Sequence, residues 1–327
     1  MTLFSKKLLY LYVVSKTRYI FILLFCLGTR IGLSQQDPQF AHNASNLLFV
    51  NPGSAGMSDG ICATVINRQQ WLGFEGAPKT TLAGIHAHLN LFGISQGVGL
   101  SIADDRLGFS KDFRAKLTYS FHQRIGNGVL GIGIEGGIFN KNLDGQWKYP
   151  DADGSQDPFV TTEAARKMVL DLGAGIFYKI GEKFYAGISA AHLHQPEISY
   201  PKVKVASFLR RNYYGIVGYK FRLLNSPIEL NPSIFAKFDG TKLQYSGNIS
   251  GTYNKKITLG VSYRNLDAFI PMLSIQLITG LRVGYAYELS LSKMIKASNG
   301  SHEFMIGYCF DFYKTTKKYK YKSILYL

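Results

Sequence analysis

Apolar and polar residues alternate with period two along most of this chain. From Phe113 to His122 the odd positions read Phe, Ala, Leu, Tyr, Phe and the even ones Arg, Lys, Thr, Ser, His. Ile257 to Arg264 sets Ile, Leu, Val, Tyr against Thr, Gly, Ser, Arg, and Leu281 to Leu291 repeats the scheme. Strict alternation gives a strand one apolar and one polar face. The pattern predicts fourteen strands, at 61–72, 80–92, 97–106, 110–125, 128–141, 168–180, 183–194, 208–223, 227–238, 241–254, 256–266, 270–278, 280–293 and 301–314. Most are far longer than the ~5–6 residues usual in soluble proteins and match the ~9–11 with which a tilted strand crosses a bilayer. Short turns near Gly93–Gln96, Gly126–Asn127, Gly181–Glu182, Asn225–Ser226, Lys255 and Thr279 alternate with longer connections at 73–79, 143–167, 195–207 and 294–300, Asp239–Gly240 being the exception. The predicted fold class is all-β: a transmembrane antiparallel β-barrel with short periplasmic turns and longer extracellular loops. The even strand count places both termini in the periplasm.

Composition sharpens this. The chain has 21 Tyr, 22 Phe and 34 Gly but only 18% charged residues, which suits strands better than helices. Mean hydropathy is zero, and no run beyond residue 30 approaches the ~20 apolar residues of a spanning helix, which excludes a helical transporter. Residues 1–34 read as a cleaved signal peptide: Lys6, Lys7, Lys16 and Arg18, an apolar run Tyr19 to Leu27, then small residues at Gly32 and Ser34. Cys26 is not read as a lipoprotein cysteine, because the bulky Phe25 precedes it. Removing the leader takes away five basic residues and no acids, lowering the net charge from +16 to +11. The expected organisation is then a periplasmic N-terminal segment (35–60), the barrel (61–314) and a basic periplasmic tail (315–327), located in a bacterial outer membrane.

Motifs at the start of the mature chain carry a family resemblance. Q-D-P-Q-F (Gln36 to Phe40), N-P-G-S-A-G (Asn51 to Gly56), R-Q-Q-W (Arg68 to Trp71) and G-A-P-K-T (Gly76 to Thr80), with S-H-E-F-M-I-G-Y-C-F (Ser301 to Phe310) near the other end, together resemble the PorP/SprF family of the Bacteroidetes type IX secretion system. Gly53, where the family more often has Ala, and the tail from Lys314 are departures. The resemblance implies an outer-membrane barrel that accepts a cognate secreted surface protein, often a large gliding adhesin, through its C-terminal sorting domain. It also implies links to periplasmic components of the machinery. Outer-membrane lipid is a further expected partner; nucleic acid is not.

Individual residues take the following expectations. Asn51 and Pro52 open a structured turn, on a segment folded under or into the barrel mouth or else touching the partner. Arg68 and Gln70 share the lumen face with Cys62 and Thr64, and Trp71 lies on the outer face at the rim. Gly76, Ala77 and Pro78 form a rigid first extracellular loop. With Trp147, Tyr149, Asp151 and Asp153 of the longest loop, they are the candidate partner contacts. The inward basics are Arg68, Arg114, Lys116, Lys179, Arg210, Lys220, Arg222, Lys237, Lys242, Arg264 and Arg282, against the acids Asp104, Glu135, Asp171, Glu229, Glu288, Glu303 and Asp311. That balance reads as a lumen crosslinked by ion pairs, with an anion-leaning channel or passive porin as the alternative. His86 with His88, and His192 with His194, share strand faces, but neither pair has the further ligands of a metal site. No nucleophile, base and orienter stand out as a set, so neither an enzyme nor a cofactor is expected. Cys62 and Cys309, at the periplasmic ends of the first and last strands, are a candidate disulfide if the register across the barrel seam aligns them.

Overall fold

The computed structural model describes residues 37–58, 60–144, 165–200 and 207–310. The leader, the loop positions Trp147, Tyr149, Asp151 and Asp153, and the basic tail lie outside the described residues. Fourteen strands build one closed antiparallel wall: β1 (Ile61–Gln69), β2 (Lys79–Leu91), β3 (Ile94–Leu107), β4 (Ser110–Ile125), β5 (Gly128–Leu143), β6 (Ala165–Ile180), β7 (Phe184–Ala191), β8 (Asn212–Tyr219, its ladder continued by Phe221–Arg222), β9 (Ile228–Phe238), β10 (Leu243–Tyr253), β11 (Ile257–Arg264), β12 (Ala268–Ile278), β13 (Leu281–Ser290) and β14 (Ser301–Phe310). Each strand pairs with its neighbours in sequence, and β1 pairs with β14. Closure leaves no open sheet edge, which is the condition for strands to cross a bilayer. The outward face follows the alternation: Leu117, Ile134, Leu170, Ile188 and Leu259 are all exposed, as lipid-facing side chains are.

The strand count agrees with the alternation, and the differences lie at strand ends. β1 stops at Gln69 rather than 72, because Trp71 adopts φ 53° and Leu72 exchanges backbone hydrogen bonds of 2.8 Å with Gly300 and Asn299 in the β13–β14 connection. β7 stops at Ala191 rather than 194, because His192 turns at φ 56°. One end of the barrel carries only tight turns. The other carries the long connections 70–78, 144–164, 192–211 and 291–300, with tight turns at 108–109, 239–242 and 265–267.

The seam between β1 and β14 is fastened at both ends. Toward the short-turn end Cys62 faces Cys309 across the ladder, with Cα atoms 4.1 Å apart and a disulfide joining them. Toward the long-loop end Arg68 faces Glu303 in the same register, and their side chains form an ion pair of 3.4 Å.

Residues 37–57, here termed the strap, lie inside the wall. The expectation was a segment folded under or into the barrel mouth. Instead Asp37 sits among residues at the long-loop end, and Met57 reaches Lys179 beside the short-turn end (3.3 Å). The strap descends the whole interior before the chain turns into β1.

Thiol labelling checks the seam. The denatured, unreduced leader-free chain should take up no reagent, and reduction should expose two thiols. Replacing both cysteines with serine should lower stability by roughly 2–4 kcal/mol while the barrel still forms.

Candidate functional site

The lower strap is held by shape. In N-P-G-S-A-G the Asn51 Oδ1 accepts from the Gly53 N–H at 2.9 Å and the Ser54 hydroxyl donates to the Asn51 carbonyl at 2.7 Å. Pro52 starts the resulting single 3-10 turn, Pro52–Ser54, where its missing N–H costs nothing. The Asn51 amide donates to the Ile176 and Ile188 carbonyls (3.0 and 3.2 Å), tying the turn to β6 and β7. Ser120 donates to the Gly53 carbonyl (3.1 Å), and His122 Nε2 lies 2.9 Å from the Ala55 carbonyl. Beneath the turn the inward positions of the wall are glycines. A Cβ on Gly97, Gly131 or Gly133 would collide with the backbone of Ala55, Gly53 or Pro52. In the other direction, a Cβ on Gly53 would fall 2.7 Å from the Gly131 carbonyl oxygen. Backbone rests on backbone, which only glycine allows.

The upper strap is held by charge. Asp37 bonds to Arg114 of β4, to His192 Nε2 (3.2 Å), to Asn212 Nδ2 (2.7 Å) and to the Tyr214 hydroxyl (2.6 Å), while Lys237 of β9 donates to its carbonyl oxygen (2.8 Å). Next along the strap, Glu303 of β14 accepts from the Ala41 and His42 amides (2.7 and 2.8 Å) and from His42 Nδ1 (2.8 Å). Between the two halves Phe40 and Phe49, edge to face at 5.8 Å, pack on Ile66, Leu82, Ala103 and Met305 of the wall. A cavity left against β8 and β9, lined by Phe40, Asn46, Tyr214 and Phe235 among others, measures ≈ 10 Å³, room for about one water.

The buried charges are equal in number once the strap is counted. Buried among the described residues are the cations Arg68, Arg114, Lys116, Lys237 and Arg264 and the acids Asp37, Glu135, Asp171, Glu288 and Glu303. Lys116 joins Glu135 (2.7 Å) to Asp171 (3.0 Å), and Arg68 and Arg264 share Glu288 (2.8 and 3.0 Å). The surplus of inward basics dissolves. Arg222 and Arg282 are exposed near the short-turn end and Lys242 at the other, while Lys179 and Lys220 both reach Glu182 in a turn. Asp104 is corrected: it lies on the face of the exposed Ile102 and pairs with Arg106 outside. Its neighbour Asp105 points inward and accepts from Thr80 at 2.6 Å.

The remaining expectations resolve individually. Gln70 lies past the strand end, its N–H donating to the Pro78 carbonyl (2.9 Å). Trp71 is not on a strand face; it is half-buried and its N–H donates to Ser301 Oγ (3.1 Å). Gly76, Ala77 and Pro78 form a turn at the long-loop end, where the Gly76 carbonyl accepts from Gly108 (2.9 Å). His86 and His88 both grip Gly56, at its N–H and its carbonyl (3.2 Å each). His192 and His194 do not share a face: His192 is buried between Asp37 and Asp171, and His194 is exposed. Asp37 is the residue the sequence reasoning missed. Its signal was the Q-D-P-Q-F motif, read only as a family marker.

The profile of the family described as "Type IX secretion system membrane protein PorP/SprF" matches residues 32–308. A comparison with curated proteins found no match. Among solved structures, the Ralstonia pickettii toluene transporter TbuX is similar at 10% identity and a TM-score of 0.50, over 81% of this chain and 93% of that one. The Acinetobacter baumannii outer membrane protein Omp33 is similar at 7% identity and a TM-score of 0.47, over 78% and 100%.

The glycine seat makes a sharp expectation. Gly131→Val should cost about 1–3 kcal/mol by overpacking and open the strap to chymotrypsin at Phe40 and Phe49. Gly247→Ala, whose Cβ would meet nothing within 4 Å, should leave both properties unchanged.

Proposed function

The chain belongs to the PorP/SprF family of type IX secretion system membrane proteins, and from that premise we propose that this outer-membrane barrel accepts and anchors a cognate secreted surface protein, an adhesin, through the partner's C-terminal sorting domain. The short-turn end then faces the periplasm and the secretion machinery, and the long-loop end presents the partner surface. The observation that carries the reading is the strap. A passive porin needs an open path lined by charge, whereas here most buried interior charges meet opposite charges and the chain's own segment runs between them. A filled barrel suits a protein that works by binding at its mouth. Gly76, Ala77 and Pro78, with Trp147, Tyr149, Asp151 and Asp153, are the proposed contacts.

Two measurements test this. The wild-type barrel in a planar bilayer should show little conductance, whereas steady porin-like current would overturn the acceptor reading in favour of the channel. Deleting Lys148 to Phe159 should preserve membrane insertion and lower surface retention of the secreted partner. Unchanged retention at normal barrel levels would remove that loop from the contact surface.

A further inference from the structure

The wall around Asp37 is a complete receptor for a carboxylate. Arg114, His192, Asn212, Tyr214 and Lys237 all belong to the wall or its β7–β8 connection, and all are buried; the strap supplies only the anion and its carbonyl. Two of these side chains, His192 and Arg114, are positioned from behind by contacts that do not involve the strap. His192 Nδ1 is fixed by Asp171 (2.8 Å), Asp171 by Lys116 (3.0 Å), and the Arg114 guanidinium lies 5.0 Å from the Phe139 ring centroid. Withdrawing Asp37 removes the carboxylate on which Arg114, His192, Asn212 and Tyr214 converge, a donor set that fits another carboxylate.

The strap is also built to release at this end rather than the other. Its lower half is interlocked with the glycine seat. Its upper half leaves Ala44 and Ser45 exposed, and neither the turn Asn43–Ser45 nor the turn after it has a side-chain cap. Three positions beyond Asp37, Phe40 fills an apolar patch of Ile66, Leu82, Ala103 and Met305, so the wall reads an acid and an aromatic at fixed spacing.

We propose that this pocket is an exchangeable carboxylate-binding site: Asp37 occupies it in the resting barrel, and an extended segment of a partner polypeptide displaces it from the long-loop end with an acidic residue followed three positions later by an aromatic one. Only the partner's identity rests on the acceptor reading; the ligand chemistry rests on the pocket.

The test uses the leader-free full-length chain in detergent, with the heat-dependent shift in gel mobility as the fold control. The probe is a labelled peptide of sequence Gln-Asp-Pro-Gln-Phe, capped at both ends. The Asp37→Asn chain, whose strap no longer carries a competing carboxylate, should bind the probe at least tenfold more tightly than wild type. It should also prefer the probe at least tenfold over the same peptide with Asn for Asp. A second arm keeps Asp37 in place. In an otherwise wild-type chain carrying Gln39→Cys, saturating Asp peptide should raise thiol reactivity severalfold and the capped Asn peptide should not. Equal affinity for the two capped peptides, or an unmoved Gln39→Cys, would overturn the proposal. Either result would leave the acceptor reading to be decided by surface retention, which this experiment does not touch.

Discussion

A charge inside a closed barrel has to find its opposite, because the wall shuts it off from solvent and an unpaired buried ion costs about 3–5 kcal/mol. That requirement organises this molecule. Arg68, Arg264, Glu288 and Glu303 fasten four strands around the seam, and Lys116 bridges β5 to β6 through Glu135 and Asp171. The wall alone does not balance. Arg114 is met by Asp37, from a segment that is no part of the sheet, and Lys237 donates to the carbonyl of the same residue.

The two holds on the strap are different in kind. Glycine against backbone is a fit of shapes, indifferent to salt and intolerant of a single methyl group. Asp37 in its cage is a fit of charge, strong while the cage is dry and replaceable by any group of the same sign and reach. Having both on one short segment gives the interior a fixed foot and a distinct head. The pairs of histidines take their place in this scheme: His86 and His88 act as backbone clamps at the foot, and His192 as the relay between Asp37 and Asp171 at the head.

Much of the wall was legible in the sequence. Period-two alternation in lipid-facing strands has few competitors, so strand number and the face of Arg68, Lys116 or Glu303 follow directly from parity. The errors arose where parity stops applying. Trp71 and His192 sit at positive φ, where a side chain leaves the strand's alternation, and nothing local in their sequence marks that. Asp104 and Asp105 are adjacent acids, so choosing the inward one depends on one residue of phase. The strap's place in the interior was not legible from local pattern. Gly97, Gly131 and Gly133 were scattered glycines until the strap lay on them, and Asp37 was a motif residue until its five partners, contributed by β4, β8, β9 and the β7–β8 connection, surrounded it. Contacts of that sequence separation leave no local trace.

The bond between Cys62 and Cys309 has a topological meaning beyond fastening a seam. It turns everything from the first strand to the last into one covalent ring, and the strap, joined to that ring just before Cys62, lies within its circumference. The polypeptide is a loop closed about its own leading end. While that bond is intact the first and last strands cannot part beside the strap's root, so the foot of the segment stays enclosed by the wall.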